Sequence, residues 1–266
     1  MKNRLDIYCV TDKDLDFLRD LDYKLAAVGK NKFSDQYIRC DQEDNIFYKE
    51  EYYSELTFHY WFWKNLLENE KSEWIGFCQK RRFWLNSRQD STNNDILDII
   101  LKSVPKEWEN YEAVICEPII LGTKLSKLLK RGWRNVLNEP KLLFDHRNIS
   151  MKLQFDIHHG YSVLDKAIDV MNVKDREDFR NFVNKNKSYN PHIMFVAKKD
   201  LLNRYFQDQF DWLAKCEEVF GFKNLKNYDQ TRLYAFLAER FVSFWFKKYS
   251  KTIEWPWTFY ENNKKI

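Results

Sequence analysis

No run of about 18 apolar residues occurs anywhere in the 266-residue chain, the length a membrane-crossing helix would need. The opening residues, MKNRLDIYCV, lack the long apolar region of a secretory signal. Together these absences set the expectation of a chain that is neither exported by that route nor membrane-spanning. The six glycines form no dinucleotide fingerprint and no P-loop, so NAD enzymes and P-loop NTPases move down the list. The five cysteines, Cys9, Cys40, Cys78, Cys116 and Cys216, are odd in number and far apart, with no zinc spacing and no disulfide framework. The expectation is reduced, mostly buried thiols in a cytoplasmic protein. An excess of one charge sign is missing too: 44 basic and 40 acidic residues leave +4. That balance argues against a nucleic-acid partner and still permits weak attraction to an anionic membrane surface.

What is present is a folded chain rich in rings. Aromatics make up 17% of it, enough to line sugar-stacking surfaces as well as a core. Charged residues reach 32% and apolar segments are periodic, which excludes a disordered polymer. The length suits one large α/β domain, or at most two small ones.

The most informative stretch is Asp44 to Phe83. Tyr53, Leu56, Tyr60, Trp63 and Leu67 recur at threes and fours, predicting a helix from about Glu51 to Leu67 with that stripe in the core. Glu55 and His59 share another face. Trp74 to Cys78 is a short apolar run of the kind that fills a buried strand, and Gln79-Lys80-Arg81-Arg82 follows it. Beyond the carboxyl end of a strand in an open α/β sheet such cations are placed to hold an anion, and arginine forks fit phosphate oxygens. A solvated basic turn is the competing reading.

Elsewhere, Leu5 to Val10 reads as a first buried strand leading to Thr11 and Asp12, which either meet a nucleotide's base or ribose or cap a helix over Asp14 to Leu21. Leu25 to Gly29 leads into a second loop, where Gly29 allows close backbone approach. Lys30 to Glu43 reads as a surface loop ahead of Asp44 and Asn45, which either cap the long helix or touch a ligand. Leu85 to Asn94 is loop-like, Asp95 to Val104 helical, and Ala113 to Cys116 a compact strand. Ile119 to Leu129 suggests a basic amphipathic helix, able to lie on a membrane or to pack on its own core. Ile149 to Phe155 alternates as a half-exposed strand would. Asp169 to Asn184 is charged and surface-covering, Ile193 to Val196 strand-like, and Leu201 to Phe220 a long helix. A further helical stripe runs through Leu233, Phe236, Leu237, Arg240, Phe241 and Phe244. The tail, Lys247 to Ile266, interleaves Trp255, Trp257, Phe259 and Tyr260 with lysines, a pattern that suits a membrane interface or the domain's own edge.

Asp44-Asn45-Ile46, Glu55-Leu56-Thr57, Tyr60-Trp61, Trp63-Lys64-Asn65, Gly76 and Arg81-Arg82-Phe83 follow one another in an order and spacing that resembles the domain of unknown function 4422 family, bacterial proteins assigned to capsule and exopolysaccharide glycosyltransferases. The family places His-Tyr ahead of the paired arginines, where this chain has Gln79-Lys80. The likeness continues through Gln154-Phe155 and His158-His159, a segment that is helical in that family, through Asn190 with Met194-Phe195, and through Ala238-Glu239-Arg240. It spans Leu5 to Phe246. The resemblance implies an α/β fold, a single GT-A-like, Rossmann-type nucleotide-sugar-binding domain over residues 1–246 with a central mixed, mostly parallel sheet, followed by the tail 247–266. It implies transfer of a sugar from a nucleotide-sugar donor, UDP-linked by preference, to a saccharide or lipid-linked saccharide in bacterial surface polysaccharide synthesis, on the cytoplasmic side and in peripheral contact with the membrane.

Such a reaction needs its diphosphate leaving group neutralised and its acceptor hydroxyl deprotonated. Thr11, Asp12, Gly29, Asp44, Asn45, Arg81 and Arg82 are the donor-side candidates; Glu55, Glu239 or His159 supplies the base; Asn190 and His192 face the acceptor. The Asp-x-Asp spacings, Asp12 with Asp14 among them, all lie near the N-terminus and follow no mid-chain strand. A basic clamp without a metal is therefore preferred, with Mn²⁺ or Mg²⁺ left open. The rival readings are a saccharide-binding or scaffold protein that keeps the fold without catalysis, and a nucleic-acid binder drawing on interleaved rings and cations.

Overall fold

The computed structural model describes residues 5–88 and 95–260. The second half of the polar stretch ending at Asn94 and the last six residues of the tail lie outside the described residues. The chain divides into two compact units, one made of Met1–Glu117, His192–Gln207 and Trp245–Ile266, the other of Pro118–Pro191 and Asp208–Phe244.

The first unit is built on a sheet. Its strands are β1 (Leu5–Thr11), β2 (Lys24–Ala27), β3 (Ile38–Arg39), β4 (Trp74–Gln79), β5 (Arg82–Trp84) and β6 (Ala113–Cys116). A pair in the second unit, β7 (Ile119–Ile120) and β8 (Ser188–Tyr189), is separate from that sheet. β9 (Phe195–Lys198), β10 (Thr252–Trp255) and β11 (Trp257–Phe259) complete it. The order is β10-β6-β9-β4-β1-β2-β3, with β5 and β11 attached beside β4. Only β9 runs against its neighbours along that path, so the sheet is mixed and mostly parallel. A parallel sheet is covered on both faces, and its strands are correspondingly apolar throughout. Ile7, Cys9, Trp74, Cys78, Val114 and Val196 enter one core cluster. Their neighbours Tyr8, Phe77 and Phe195 point the other way, into a nest of rings with Phe58 and Phe62; the Phe62–Phe77 centroids are 5.2 Å apart. Gly76 is needed where β4 passes β9, because a Cβ there would lie 2.9 Å from the Val196 side chain.

The helix expected over Glu51 to Leu67 is interrupted. A short turn, Glu50–Tyr53, ends at Ser54, whose φ of 51° is left-handed, and the helix restarts at Leu56–Trp61 before widening into a π-type turn over Phe62–Leu66. The break re-aims the stripe. Phe58, His59 and Phe62 take the core, while Tyr60 and Trp63 are only half-buried and donate to Asp44 Oδ1 (3.2 Å) and Asn203 Oδ1 (2.7 Å). All five cysteines are buried, and none is in a disulfide. Of the two readings of the tail, packing on the domain's own edge is the one its strands fit: Thr252 to Phe259 supply β10 and β11, and the boundary after Phe246 falls inside the helix Leu233–Tyr249. Trp255 is fully buried and donates to the Leu85 carbonyl at 2.8 Å, so these rings pack on the sheet's own edge.

The second unit is helical apart from β7 and β8. The alternation over Ile149 to Phe155 resolves as a helix, Met151–His159, in agreement with the family likeness. Ser150 caps it by accepting from Leu153 N, and burial of Met151, Leu153, Phe155 and Ile157 shows that it is covered on more than one side. The surface segment is the helix Val173–Lys185, anchored by buried Phe179 and Val183. The two long helices at the C-terminal side appear as expected, over Lys199–Phe220 and Leu233–Tyr249.

His59 is enclosed by Phe77, Phe195 and Phe206, and its Nδ1 has no hydrogen-bond partner. Burial lowers its pKa from 6.5 to about 3. The unfolded imidazole takes a proton that the native site refuses, so its contribution to stability is complete above 6.5 and is lost as pH falls from there toward 3. His59→Phe is expected to flatten the loss of unfolding free energy below pH 6 by about 1.4 kcal/mol per pH unit. Urea titrations across that range measure it; an unchanged slope would show that His59 is protonated in the native core. At Gly76, substitution by alanine is expected to lower stability by roughly 1–3 kcal/mol through overpacking, read as a fall in thermal midpoint.

Candidate functional site at the carboxyl edge of the sheet

Strand register brings the donor-side candidates to one edge. Thr11 pairs with Ala27, Ala27 with Arg39, and Val10 with Gln79, so the carboxyl ends of β1 to β4 lie side by side. Lys80 and Arg81 form the two-residue turn between β4 and β5, closed by the pairing of Gln79 with Arg82. The turn is pinned from outside by β11: Phe259 pairs with Arg82, and Tyr260 N donates to the Arg81 carbonyl at 2.9 Å. Both guanidinium groups lie over the Phe259 ring, at 5.5 and 5.6 Å, which holds their charge toward this edge at little conformational cost.

A polar relay runs through the site. Lys80 Nζ donates to Asp12 Oδ1, Gln79 Nε2 donates to Glu55 Oε1 at 3.0 Å, and Arg82 Nη1 donates to Gln79 Oε1 at 3.0 Å. Thr11 is buried and its hydroxyl is engaged with Lys13, donating to the carbonyl at 2.7 Å and accepting from the amide at 3.0 Å. It shapes the loop, and the structured turn beyond is a short one over Asp16–Asp20 in place of the expected helix from Asp14. Gly29 adopts a φ of 78° and leaves the Glu50 carboxyl 3.6 Å from where a Cβ would sit. Asn45 Oδ1 accepts from Phe47 N at 3.1 Å and Asp44 O accepts from Asn65 Nδ2 at 2.9 Å, so the pair ties the loop onto the helix that follows.

His192 belongs to the same unit, with a φ of 67° and its ring 4.6 Å from Trp257. Burial, with Arg82 nearby, lowers its pKa to about 3, which keeps it neutral. Asn190 lies in the second unit, buried, with its amide donating to Ser243 Oγ at 3.0 Å. Glu239 and His159 are in the second unit as well. Glu239 is paired with the buried Arg240, which also donates to Gln154 Oε1 at 2.8 Å and lies 4.1 Å from the Tyr189 ring. His159 Nδ1 donates to the Asp229 carbonyl at 2.7 Å, and its ring stacks on Phe236 at 4.1 Å. Burial, then Arg240, lowers its pKa to about 3, so it takes up little proton at neutral pH. That is poor equipment for a general base.

The first of the N-terminal Asp-x-Asp pairs is engaged by cationic side chains. Asp12 is neutralised by Lys80 and Asp14 by Arg19 at 2.7 Å. Among the described residues no three His, Cys, Asp or Glu side chains converge as ligands. Two features of the edge were not readable beforehand. Arg39 donates to Asp41 Oδ2 at 3.1 Å and lies over the rings of Phe33 and Phe47, inside a segment read as loop because its strand is two residues long. The aromatic brace from β11 comes from far along the chain, and only its Trp and Phe content hinted at it.

The family model described as Domain of unknown function (DUF4422) matches residues 6–251. No curated protein matches the chain. A solved structure titled as the apo form of WbbM, a bifunctional glycosyltransferase, is similar with a TM-score of 0.73 at 21% identity, covering 98% of this chain and 46% of that one. The chain thus spans about half the length of that protein, and the likeness is one of fold. With a family match across nearly its whole length, the chain belongs to the DUF4422 family, and its mixed, mostly parallel α/β fold is shared with that glycosyltransferase structure.

Proposed function

We propose that the protein is a glycosyltransferase that takes its sugar from a nucleotide-sugar donor, with the donor lying across the carboxyl ends of β1, β2 and β4. The observation that carries this reading is the braced cationic turn, Lys80 to Arg82, at the edge where open α/β sheets bind ligands, in a fold shared with a glycosyltransferase. Arg81 and Arg82 neutralise the diphosphate as the bond from its oxygen to the sugar's anomeric carbon breaks and the acceptor oxygen bonds to that carbon. Asp12 and the Gly29 loop contact the nucleoside. Glu55, half-buried and oriented by the Gln79 amide, takes the proton of the acceptor hydroxyl. Glu239 and His159, committed to Arg240 and to Asp229 respectively, serve the second unit's framework. The donor is UDP-linked, the acceptor a saccharide or lipid-linked saccharide, and the pathway bacterial capsule or O-antigen synthesis on the cytoplasmic face of the membrane.

A thermal-shift screen against UDP, GDP, CMP and dTDP sugars, each with Mn²⁺ or with EDTA, tests the donor site. One nucleotide class is expected to stabilise the fold, by about 2.7 kcal/mol at a hundredfold excess over Kd. The effect should persist in EDTA and disappear in the Arg81→Ala, Arg82→Ala double variant. Absence of any shift would bring forward a saccharide-binding protein without catalysis. Glu55→Gln is expected to keep that shift while donor turnover falls roughly 10²–10⁴-fold; turnover within a few fold of the parent would remove Glu55 as the base.

A further inference from the structure

The second unit leaves an unusual surface between residues 119 and 144. Among the described residues, seven of the thirteen large apolar side chains that are exposed fall in this stretch, which decides against random scatter. Leu125, Leu129, Trp133 and Leu137 recur every four residues along the helices Leu125–Arg131 and Trp133–Asn138, all on the outside. The inward side is supplied by Leu128, fully buried, and by Gly132, where a Cβ would meet Leu128 and Ile157 side chains at 2.9 and 3.0 Å. The outer stripe is therefore surplus to the core. Ile120, 81% exposed, precedes it, and Phe144, 91% exposed, follows it.

The charge around this stripe is one-sided. From Ile119 to Arg147 the chain carries seven Lys and Arg against Glu139 and Asp145, a local excess of 7 − 2 = +5 in a protein whose net charge is +4. Lys124, Lys130, Arg131, Arg134, Lys141 and Arg147 are all exposed. Arg134 lies 5.3 Å from the Trp133 ring, an amphipathic pairing typical of a headgroup boundary. A second copy of the same face would bring like charges together, whereas anionic headgroups complement them. Among the described residues no helix is long and apolar enough to cross a membrane, so contact of this kind is interfacial.

We infer that the face formed by residues 119–147 docks the protein on an anionic lipid surface, with Leu129, Leu137 and Phe144 entering the acyl boundary and the surrounding Lys and Arg meeting the headgroups. The site differs from the C-terminal tail, whose Trp255 is committed to the sheet, and from the nucleotide edge of the first unit.

Vesicle flotation tests this without any reference to turnover, so its failure and that of the glycosyltransferase reading are separable. The full chain is expected to float with vesicles of phosphatidylcholine and phosphatidylglycerol and to stay in solution with phosphatidylcholine alone. Replacing Leu129, Leu137 and Phe144 together by serine is expected to lower the bound fraction at least about tenfold, given what burial of such side chains contributes. Reversal of charge at Lys124, Lys130 and Arg134 to glutamate should do the same. Thermal midpoints equal to the parent's show that both variants fold. Binding retained by either folded variant, or no binding of the parent to anionic vesicles, overturns the inference. So does a dimer in sedimentation that the triple serine variant dissolves, because the stripe would then be covered by a second copy.

Discussion

The parallel pairing of β1 with β4, from Leu5 against Trp74 to Val10 against Gln79, is the constraint on which the first unit rests. Side chains alternate across a sheet, so this register decides which half of each strand faces which core. It sends Ile7, Cys9, Trp74 and Cys78 into one cluster, and Tyr8 and Phe77 into the aromatic nest under the broken helix. The same register sets Thr11 and Asp12 beside Gln79 and Lys80 where the strands end. A slip of one residue would turn both apolar sets over and would separate Asp12 from Lys80. Stability and the layout of the ligand edge are thus consequences of one alignment.

Burial sorts the ionisable groups into framework and chemistry. A charge withdrawn from water must be paired and hydrogen-bonded, and Arg240 is an example, held by Glu239, Gln154 and the Tyr189 ring. Groups committed to such partners have little left to offer a substrate. The buried histidines make the complementary point: His59, His159 and His192 avoid the cost by staying neutral. Lys80, Arg81 and Arg82, by contrast, are only half-buried at an edge of the sheet, the two arginines lying over the Phe259 ring.

Much of this was legible from the residues. Trp74 to Cys78 and Ala113 to Cys116 are unbroken apolar runs of strand length, and both are strands in the sheet. A basic turn after β4 was legible from the residues, while its reading as an anion clamp came from the family likeness. What failed to show were events with no local period. Ser54 breaks the long helix through a single left-handed residue, which the stripe through Tyr53 and Leu56 does not register. Ile149 to Phe155 alternates like a strand because a helix covered on several sides buries residues two apart as readily as four apart. β3 is too short to carry a pattern, and β11 reaches Arg82 across more than half the chain. The membrane-like character seen in the tail was real as composition, but Trp255 and its neighbours had a sheet edge to cover.

Gln79 and Lys80 tie this edge together through contacts of defined polarity. The Gln79 amide must point its NH₂ at the Glu55 carboxylate and its carbonyl at Arg82, since the reverse would set acceptor against acceptor and donor against donor. It therefore links an anion to a cation with the right polarity at both ends, as a neutral imidazole also can. Unlike an imidazole, it keeps that polarity at every pH, so the tie between Glu55 and Arg82 does not depend on titration of its centre. The positive charge of Lys80 is paired with Asp12 in the loop after β1. That ion pair couples the loop after β1 to the turn after β4.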